Sequence, residues 1–272
     1  MPFFIGRLSA NEPNVCQHVI HRRPISPHLI NNMQNVAGVK FNSDSDVIKF
    51  VELYTQSMSH VDLLGVWDGP HMYGPVKPYY DYLFATFPAL KKHLICAHAL
   101  EPYYYFDHPD YAFDRVFENR KVLIISSHKE TVKQQINKDI NSKFAKRIFH
   151  GTTQYYIYKP TQQNAGSHDS NSWIYHFEAM KNDLISVKKE FDYDIALVSA
   201  GGFGMLLCDY IFTTQKVSIL YVGGALQLFF GIIGGRWKSS PKIMNLMNQH
   251  WTETLDSDKP KNVMICEGSA YW

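Results

Sequence analysis

Two glycine-rich segments carry residue types that often bind phosphate, and each follows an apolar run. The run over 194–200 leads into Gly-Gly-Phe-Gly, and the run over 216–222 leads into Gly-Gly-Ala-Leu-Gln. The glycines concerned are Gly201, Gly202, Gly204, Gly223 and Gly224. Glycine permits a sharp turn and a close main-chain contact with a ligand, and a following helix offers unpaired amide groups to an anion. Each segment therefore indicates either a diphosphate-binding turn or a tight strand–helix connection without a ligand.

Three residues downstream could contact the same ligand. Gln227 is polar within an apolar run, so it either caps a helix or contacts the ligand. Arg236 and Trp237 follow Gly234 and Gly235. The forked guanidinium of arginine suits a diphosphate, and an ordinary surface arginine is the alternative. We predict that Gln227, Arg236 and Trp237 belong to the same ligand site as these glycines.

Three side chains near other strand ends could move a proton. Glu12 lies past the first apolar run, Asp68 follows the second, and His128 follows a later one. A carboxylate or imidazole held there could act as a general base. The alternatives are an ordinary Asp-Gly-Pro turn at Asp68 and a structural role for His128. Trp67 and Trp272 could stack on a base or a sugar, and packing in the core is the equal alternative.

Several classes of function are disfavoured by motifs that the sequence lacks. Its 13 histidines and four cysteines form no H-E-x-x-H, H-x-H or C-x-x-C spacing, so no metal site is predicted. It has no G-x-S-x-G elbow, no G-x-x-x-x-G-K-[ST] loop and no G-x-G-x-x-G fingerprint. A net charge of +2 without a clustered basic surface gives no reason to expect nucleic acid as a partner.

The elements that would position these residues alternate between short apolar runs and amphipathic helices. The runs that predict buried strands are Phe3–Leu8, Asp62–Trp67, His93–Ala97, Lys121–Ser126, Asp194–Ala200 and Lys216–Val222. Apolar residues recurring every three or four positions predict helices over 47–58, 132–144 and 173–191. This alternation predicts a mostly parallel sheet with right-handed crossovers. We predict a single α/β domain over residues 1–272, with a Rossmann-like sheet flanked by helices.

The termini and cysteines bear on where the protein functions. No basic region precedes an apolar stretch near Met1, and the apolar stretch 217–233 is interrupted by two glycines and a glutamine. These patterns favour a soluble, cytoplasmic protein without a transmembrane segment. The four cysteines lie far apart in the sequence, which favours free thiols. The oligomeric state stays open, a homodimer included.

Sequence blocks spread along nearly the whole chain carry a family resemblance. The most specific blocks are Gly-Gly-Ala-Leu-Gln-Leu-Phe-Phe-Gly over 223–231 and Glu-Gly-Ser-Ala-Tyr-Trp over 267–272. The other blocks are 5–12, 64–67, 100–104, 121–125, 191–204 and 235–237. In this order they resemble a family of mostly uncharacterised proteins from polysaccharide-biosynthesis clusters, with relatives in large DNA viruses.

That family is distantly similar to the GT-D glycosyltransferases, whose first strand ends in R-x-G-D-G-E. The acidic pair of this motif holds a divalent cation, Mn²⁺ or Mg²⁺, beside the sugar diphosphate. Arg7 and Glu12 match the motif, whereas Ser9 and Ala10 replace its glycine and aspartate. The resemblance implies a nucleotide-sugar site that includes Arg7, and it leaves the cation open. Arg236, Lys238 or helix N-termini could neutralise the leaving diphosphate instead.

Together these expectations favour glycosyl transfer from a nucleotide-sugar, preferably a UDP-sugar, to a saccharide or glycan acceptor. Glu12 or Asp68 would deprotonate the acceptor hydroxyl if the configuration inverts. One alternative is a sugar-modifying methyltransferase, in which Asp68 would hold a ribose. Another is a non-catalytic carbohydrate-binding protein, which the missing aspartate at Ala10 favours.

Overall fold

The computed structural model describes residues 1–67, 69, 74–101, 113–138 and 151–272, without the side chains of residues 113 and 114. Within these ranges the chain forms a sheet of seven strands, all of them parallel. The strands are β1 (Phe4–Arg7), β2 (Leu63–Val66), β3 (Leu94–Cys96), β4 (Lys121–Ser126), β5 (Gln154–Tyr158), β6 (Ile195–Ser199) and β7 (Ser218–Tyr221). Their order across the sheet is β3-β2-β1-β7-β6-β4-β5.

Helices follow the strands on both faces of this sheet. The helices are α1 (Asn11–Ile20), α2 (Pro27–Asn32), α3 (Asp44–Ser57), α4 (Lys77–Thr86), α5 (Phe113–Phe117), α6 (Lys129–Gln135), α7 (Trp173–Glu190), α8 (Gly204–Tyr210), α9 (Gly235–Lys238) and α10 (Pro241–Leu246). Two π-helical turns, Met33–Ala37 and Ile211–Gln215, extend α2 and α8. Gly201–Phe203 and Gly223–Phe230 form 3₁₀ turns directly after β6 and β7.

The predicted α/β class with a Rossmann-like parallel sheet is confirmed. All six apolar runs contain a strand, and the predicted helices over 47–58 and 173–191 correspond to α3 and α7. The predicted helix over 132–144 begins as α6, and residues 139–150 lie outside the described ranges. None of the described helices combines the length and the apolar composition that a membrane span requires.

Apolar side chains fill both faces of the sheet, which explains why the strands are continuous apolar runs. In β4, Leu123 and Ile125 belong to the core on one face, here called the first core. Val122 and Ile124 belong to the core on the other face, the second core. Successive residues of a strand point to opposite faces, so a strand covered on both sides must be apolar throughout.

The direction in which the connections leave the sheet alternates between neighbouring strands and opens crevices at the carboxyl edge. Helix α1 follows β1 and helix α8 follows β6, and both pack in the first core. Helix α6 follows β4 and a 3₁₀ turn follows β7, and both pack in the second core. Neighbouring strands β1 and β7 therefore send their connections to opposite faces, and so do β7 and β6, and β6 and β4. In open parallel sheets such switch points are where ligands bind, beyond the carboxyl ends of the strands.

Candidate functional site

A cavity of about 200 Å³ lies at the carboxyl edge of the sheet, over these crevices. It is bordered by residues that follow β1, β2, β4, β5, β6 and β7, and by the segment 267–272. The residues singled out from the sequence that line it are Arg7, Glu12, Trp67, His128, Gly201, Gly223, Gly224, Arg236 and Trp272.

Glu12 places a buried carboxyl in the cavity wall. It is the second residue of α1, which begins four residues after β1 ends, and its side chain is 4% exposed. Burial raises the pKa of this carboxyl, an effect partly offset by the hydrogen bond that Ser9 Oγ donates to it, and the charge of Glu267 raises the pKa further. A carboxylate with a raised pKa accepts a proton more readily than an ordinary glutamate, which suits a general base.

Arg7 is fixed at the end of β1 by contacts on three sides. Its Nη1 donates to the carbonyl oxygen of Val222 at 2.9 Å, and its Nη2 lies 3.1 Å from Oε1 of Glu101. Its Cζ lies 4.6 Å from the ring centre of Trp67, and a Cβ built on Gly223 would lie 3.7 Å from the same Cζ. The guanidinium thus reaches from β1 to the turn after β7, and Glu101 already balances its charge.

Arg236 is the more accessible of the two cavity arginines. It forms an ion pair with Glu267 and lies over the ring of Tyr271, 4.7 Å from the ring centre. The side chains of Arg236 and Glu267 are 40% and 41% exposed. Ion pairs at such exposure contribute little stability, so an incoming anion can replace Glu267 at Arg236 more easily than it can replace Glu101 at Arg7.

Two of the five predicted glycines do not line the cavity. A Cβ on Gly202 would lie 2.5 Å from Cγ2 of Val39, and a Cβ on Gly204 would lie 2.4 Å from the ring of Tyr221. These glycines make room for neighbouring side chains. Gly201, with φ of 51°, does border the cavity, and its main chain packs against Ala37.

Gln227 and Trp237 also lie behind the wall of the cavity. Nε2 of Gln227 donates to the carbonyl oxygens of Ile232 at 3.0 Å and Tyr271 at 3.1 Å. Trp237 is buried in the second core and packs edge-on against the ring of Tyr271. Because Tyr271 itself lines the cavity, both residues act on the site through Tyr271 and not through a ligand.

His128 is a neutral, structurally anchored imidazole. It precedes α6, and burial lowers its pKa to about 4. Since a carbonyl oxygen only accepts hydrogen bonds, Nε2 carries the proton and donates to the Tyr271 oxygen at 3.2 Å. Nδ1 then accepts from Ser127 Oγ at 3.4 Å. The ring of Trp272 lies nearly parallel to the imidazole, with the ring centres 6.3 Å apart.

Parts of the wall were not identified from the sequence. Residues 160–164 border the cavity because they follow β5, a strand that no apolar run of the sequence predicts. Glu267 and Tyr271 come from the far end of the chain, and only the family resemblance drew attention to that segment. Glu101 was also missed, although it follows the short element after β3 and holds Arg7.

The described residues do not fit the divalent cation that the resemblance implies. Hard cations take about six oxygen ligands, with carboxylates prominent among them. Burial raises the pKa of Glu12 and so penalises the charged form that a cation would need, and Glu267 is paired with Arg236. In the described ranges no group of three or more His, Cys, Asp or Glu side chains is placed to hold a metal. Asp68, the other carboxylate predicted near this edge, lies outside the described residues.

Known proteins give no guide to this cavity. Comparison with protein-family models, curated proteins and solved structures finds no match. The chemistry of the cavity therefore has to follow from its own residues.

Proposed function

We propose that the protein transfers a glycosyl group from a nucleotide-sugar to a saccharide acceptor. The observation that carries the proposal is the buried carboxyl of Glu12 in one cavity with Arg7 and Arg236. Glycosyl transfer needs a base for the acceptor hydroxyl and donors for the leaving diphosphate. The cavity also lies at the switch point between β1 and β7, where nucleotides bind in open parallel sheets.

In the proposed reaction the acceptor hydroxyl oxygen attacks the anomeric carbon of the donor sugar. The bond from that carbon to the diphosphate oxygen breaks, and its electron pair leaves with the diphosphate. The proton of the acceptor hydroxyl passes to the carboxylate of Glu12. This sequence inverts the configuration at the anomeric carbon and uses one base, which the cavity supplies.

The charge of the leaving diphosphate would be met mainly by Arg236. On ligand binding, the exposed ion pair between Arg236 and Glu267 opens and the guanidinium turns to the phosphate oxygens. Arg7 has a positioning role, because the Val222 carbonyl oxygen and Glu101 hold it in place. Gly223, with φ of 70°, lies beside Arg7 and brings the main chain close to the same phosphate.

A second candidate is a carbohydrate-binding protein without catalytic activity. It is favoured by the charge balance around the cavity, where Glu101 offsets Arg7 from behind the wall and Glu267 offsets Arg236. A cavity whose arginines are paired with glutamates attracts a diphosphate less strongly than a cavity with two unpaired arginines would.

Product analysis with purified protein separates the two candidates. UDP-glucose, UDP-galactose and UDP-N-acetylglucosamine are each incubated with neutral saccharides, and UDP release is measured with and without the acceptor. Acceptor-dependent UDP release that Glu12→Gln abolishes supports transfer, with Glu178→Gln on the exposed side of α7 as the matched control. Saccharide binding without binding of any nucleotide would favour the second candidate.

A further inference from the structure

The cavity consists of two chemically different halves. The charged half lies at the crevice between β1 and β7, and its charged residues are Arg7, Glu12, Arg236 and Glu267. The neutral half lies around the carboxyl ends of β4, β5 and β6, and its polar residues are Ser127, His128, Thr161, Gln162, Gln163, Asn164, Ser199 and Trp272. Tyr271 joins the halves, since its ring contacts Arg236 and its carbonyl oxygen contacts His128.

The neutral half offers hydroxyl groups that the protein leaves unused. Thr161 and Ser199 are half-buried, and their hydroxyls have no hydrogen-bond partner in the described part of the chain. A side-chain hydroxyl donates one hydrogen bond and accepts others, so it matches the hydroxyls of a ligand on both counts. A hydroxyl that is partly shielded from water and has no partner within the described residues favours a ligand that supplies one.

The electrostatics of this half favour a neutral ligand. The imidazole of His128 is uncharged at neutral pH because its pKa lies at about 4. The nearest charges that act on it, Lys159 and Asp258, pair with each other at 3.2 Å, and neither lines the cavity. An anion placed here would lose its hydration without gaining a cation, whereas a hydroxyl-rich neutral molecule would not.

Trp272 adds a flat apolar surface to the same half. Its indole is 7% exposed and lies against Ala165 and Cys266, with the imidazole of His128 nearly parallel to it. Aromatic faces with nearby polar groups suit the apolar faces of sugar rings. Two buried atoms, Trp272 Nε1 and Asn164 Oδ1, also lack a hydrogen-bond partner within the described ranges. Both atoms are shielded from solvent, so they do not themselves contact a ligand in this structure.

From these observations we infer that the neutral half is a saccharide-binding subsite, with Thr161, Ser199 and Trp272 as its recognition residues. The inference rests on the proposed function in one respect, namely that the bound saccharide is the acceptor of the transfer. Recognition of a neutral saccharide at this place does not itself require that transfer occurs.

Calorimetric titration of the full chain tests the subsite. The probes are N-acetylglucosamine, lactose, cellobiose and chitobiose, each titrated without nucleotide, and UDP is titrated separately. We expect at least one saccharide to bind, and Thr161→Val and Ser199→Ala each to weaken it roughly fivefold to tenfold, as the loss of one hydrogen bond predicts. UDP affinity should stay unchanged in both variants. Thr86→Val, at an exposed position of α4, is the matched control.

Each outcome bears on the subsite or on the proposed function separately. Failure of all four saccharides to bind, or binding that Thr161→Val and Ser199→Ala leave unchanged, overturns the subsite even if UDP binds and transfer occurs. Saccharide binding that both variants weaken, in a protein that binds neither UDP nor a UDP-sugar, supports the subsite and contradicts glycosyl transfer. Thermal unfolding of each variant checks that the fold is intact, and Trp272→Phe gives a third, independent variant.

Discussion

The ring of Tyr271 packs directly on Gly224. A Cβ at position 224 would lie 2.1 Å from Cε1 of Tyr271, far inside the contact distance of two carbon atoms. Gly204 stands in the same relation to Tyr221, at 2.4 Å. Both tyrosines border the cavity. These glycines therefore shape the site by leaving room for its aromatic side chains, and not only by exposing main-chain amides.

Alanine at either position should therefore destabilise the fold. We expect Gly204→Ala and Gly224→Ala each to lower the free energy of unfolding by about 1–3 kcal/mol, because buried rings have to move. Urea unfolding measures the effect. Gly74→Ala is the control, because Gly74 is exposed and its Cβ would meet no atom of the described chain within 4 Å. Variants as stable as Gly74→Ala would contradict the tight packing.

Nucleotide affinity should depend on Arg236 and not on its neighbour Lys238. Both are exposed, both belong to α9 and each is paired with a glutamate, but only Arg236 lines the cavity. Arg236→Gln should weaken UDP binding about tenfold or more, as loss of a charge-assisted hydrogen bond predicts. Lys238→Gln should leave UDP affinity within twofold. Equal effects of the two substitutions in a calorimetric titration would exclude a specific role for Arg236.

The buried carboxyl of Glu12 should make stability fall as the pH rises. Its pKa is higher in the folded chain than the ordinary value of 4.5, mainly because the side chain is buried. The folded state therefore holds this proton more tightly, and the stability gained in this way is full below the unfolded pKa and is lost as the pH rises through the folded pKa. Relative to Glu12→Gln, the wild-type chain should be less stable at pH 8 than at pH 4. Urea unfolding at both pH values checks the sign, and a difference that does not change with pH would contradict it.

His128 should have the opposite effect at acidic pH. Burial lowers its pKa from the ordinary 6.5 to about 4, so the unfolded chain takes up the proton first as the pH falls. The stability that the neutral imidazole provides is present above pH 6.5 and is lost as the pH falls through 4, and it amounts to roughly 3 kcal/mol. Denaturant titrations at pH 7 and pH 4 should show this additional loss in the wild-type chain and not in His128→Gln. An equal loss in both would show that another group titrates.

The strands were predictable because burial on both faces leaves a continuous apolar signal. Strand β5 is the exception: it pairs only with β4 at the edge of the sheet, and its exposed Gln154 and half-buried tyrosines break the apolar pattern. Because β5 was not predicted, residues 160–164, which follow it and line the cavity, were not predicted as part of the site.

The position of the site could be predicted, but its detailed contacts could not. Because parallel strands end at one edge, residues just past strand ends, such as Glu12 and His128, were expected to meet there. The contacts of Tyr271 with Gly224 and of Glu101 with Arg7 join positions far apart in the sequence. Only tertiary packing brings such residues together, and no local pattern of residue types predicts these contacts.

The most direct test of the account is transfer by wild-type protein and by Glu12→Gln, with UDP affinity measured in parallel. If Glu12 is the general base, UDP binds both proteins equally, and acceptor-dependent UDP release falls roughly 10²–10⁴-fold in Glu12→Gln. Undiminished release by Glu12→Gln, or a wild-type protein that binds neither UDP nor any UDP-sugar, would contradict it.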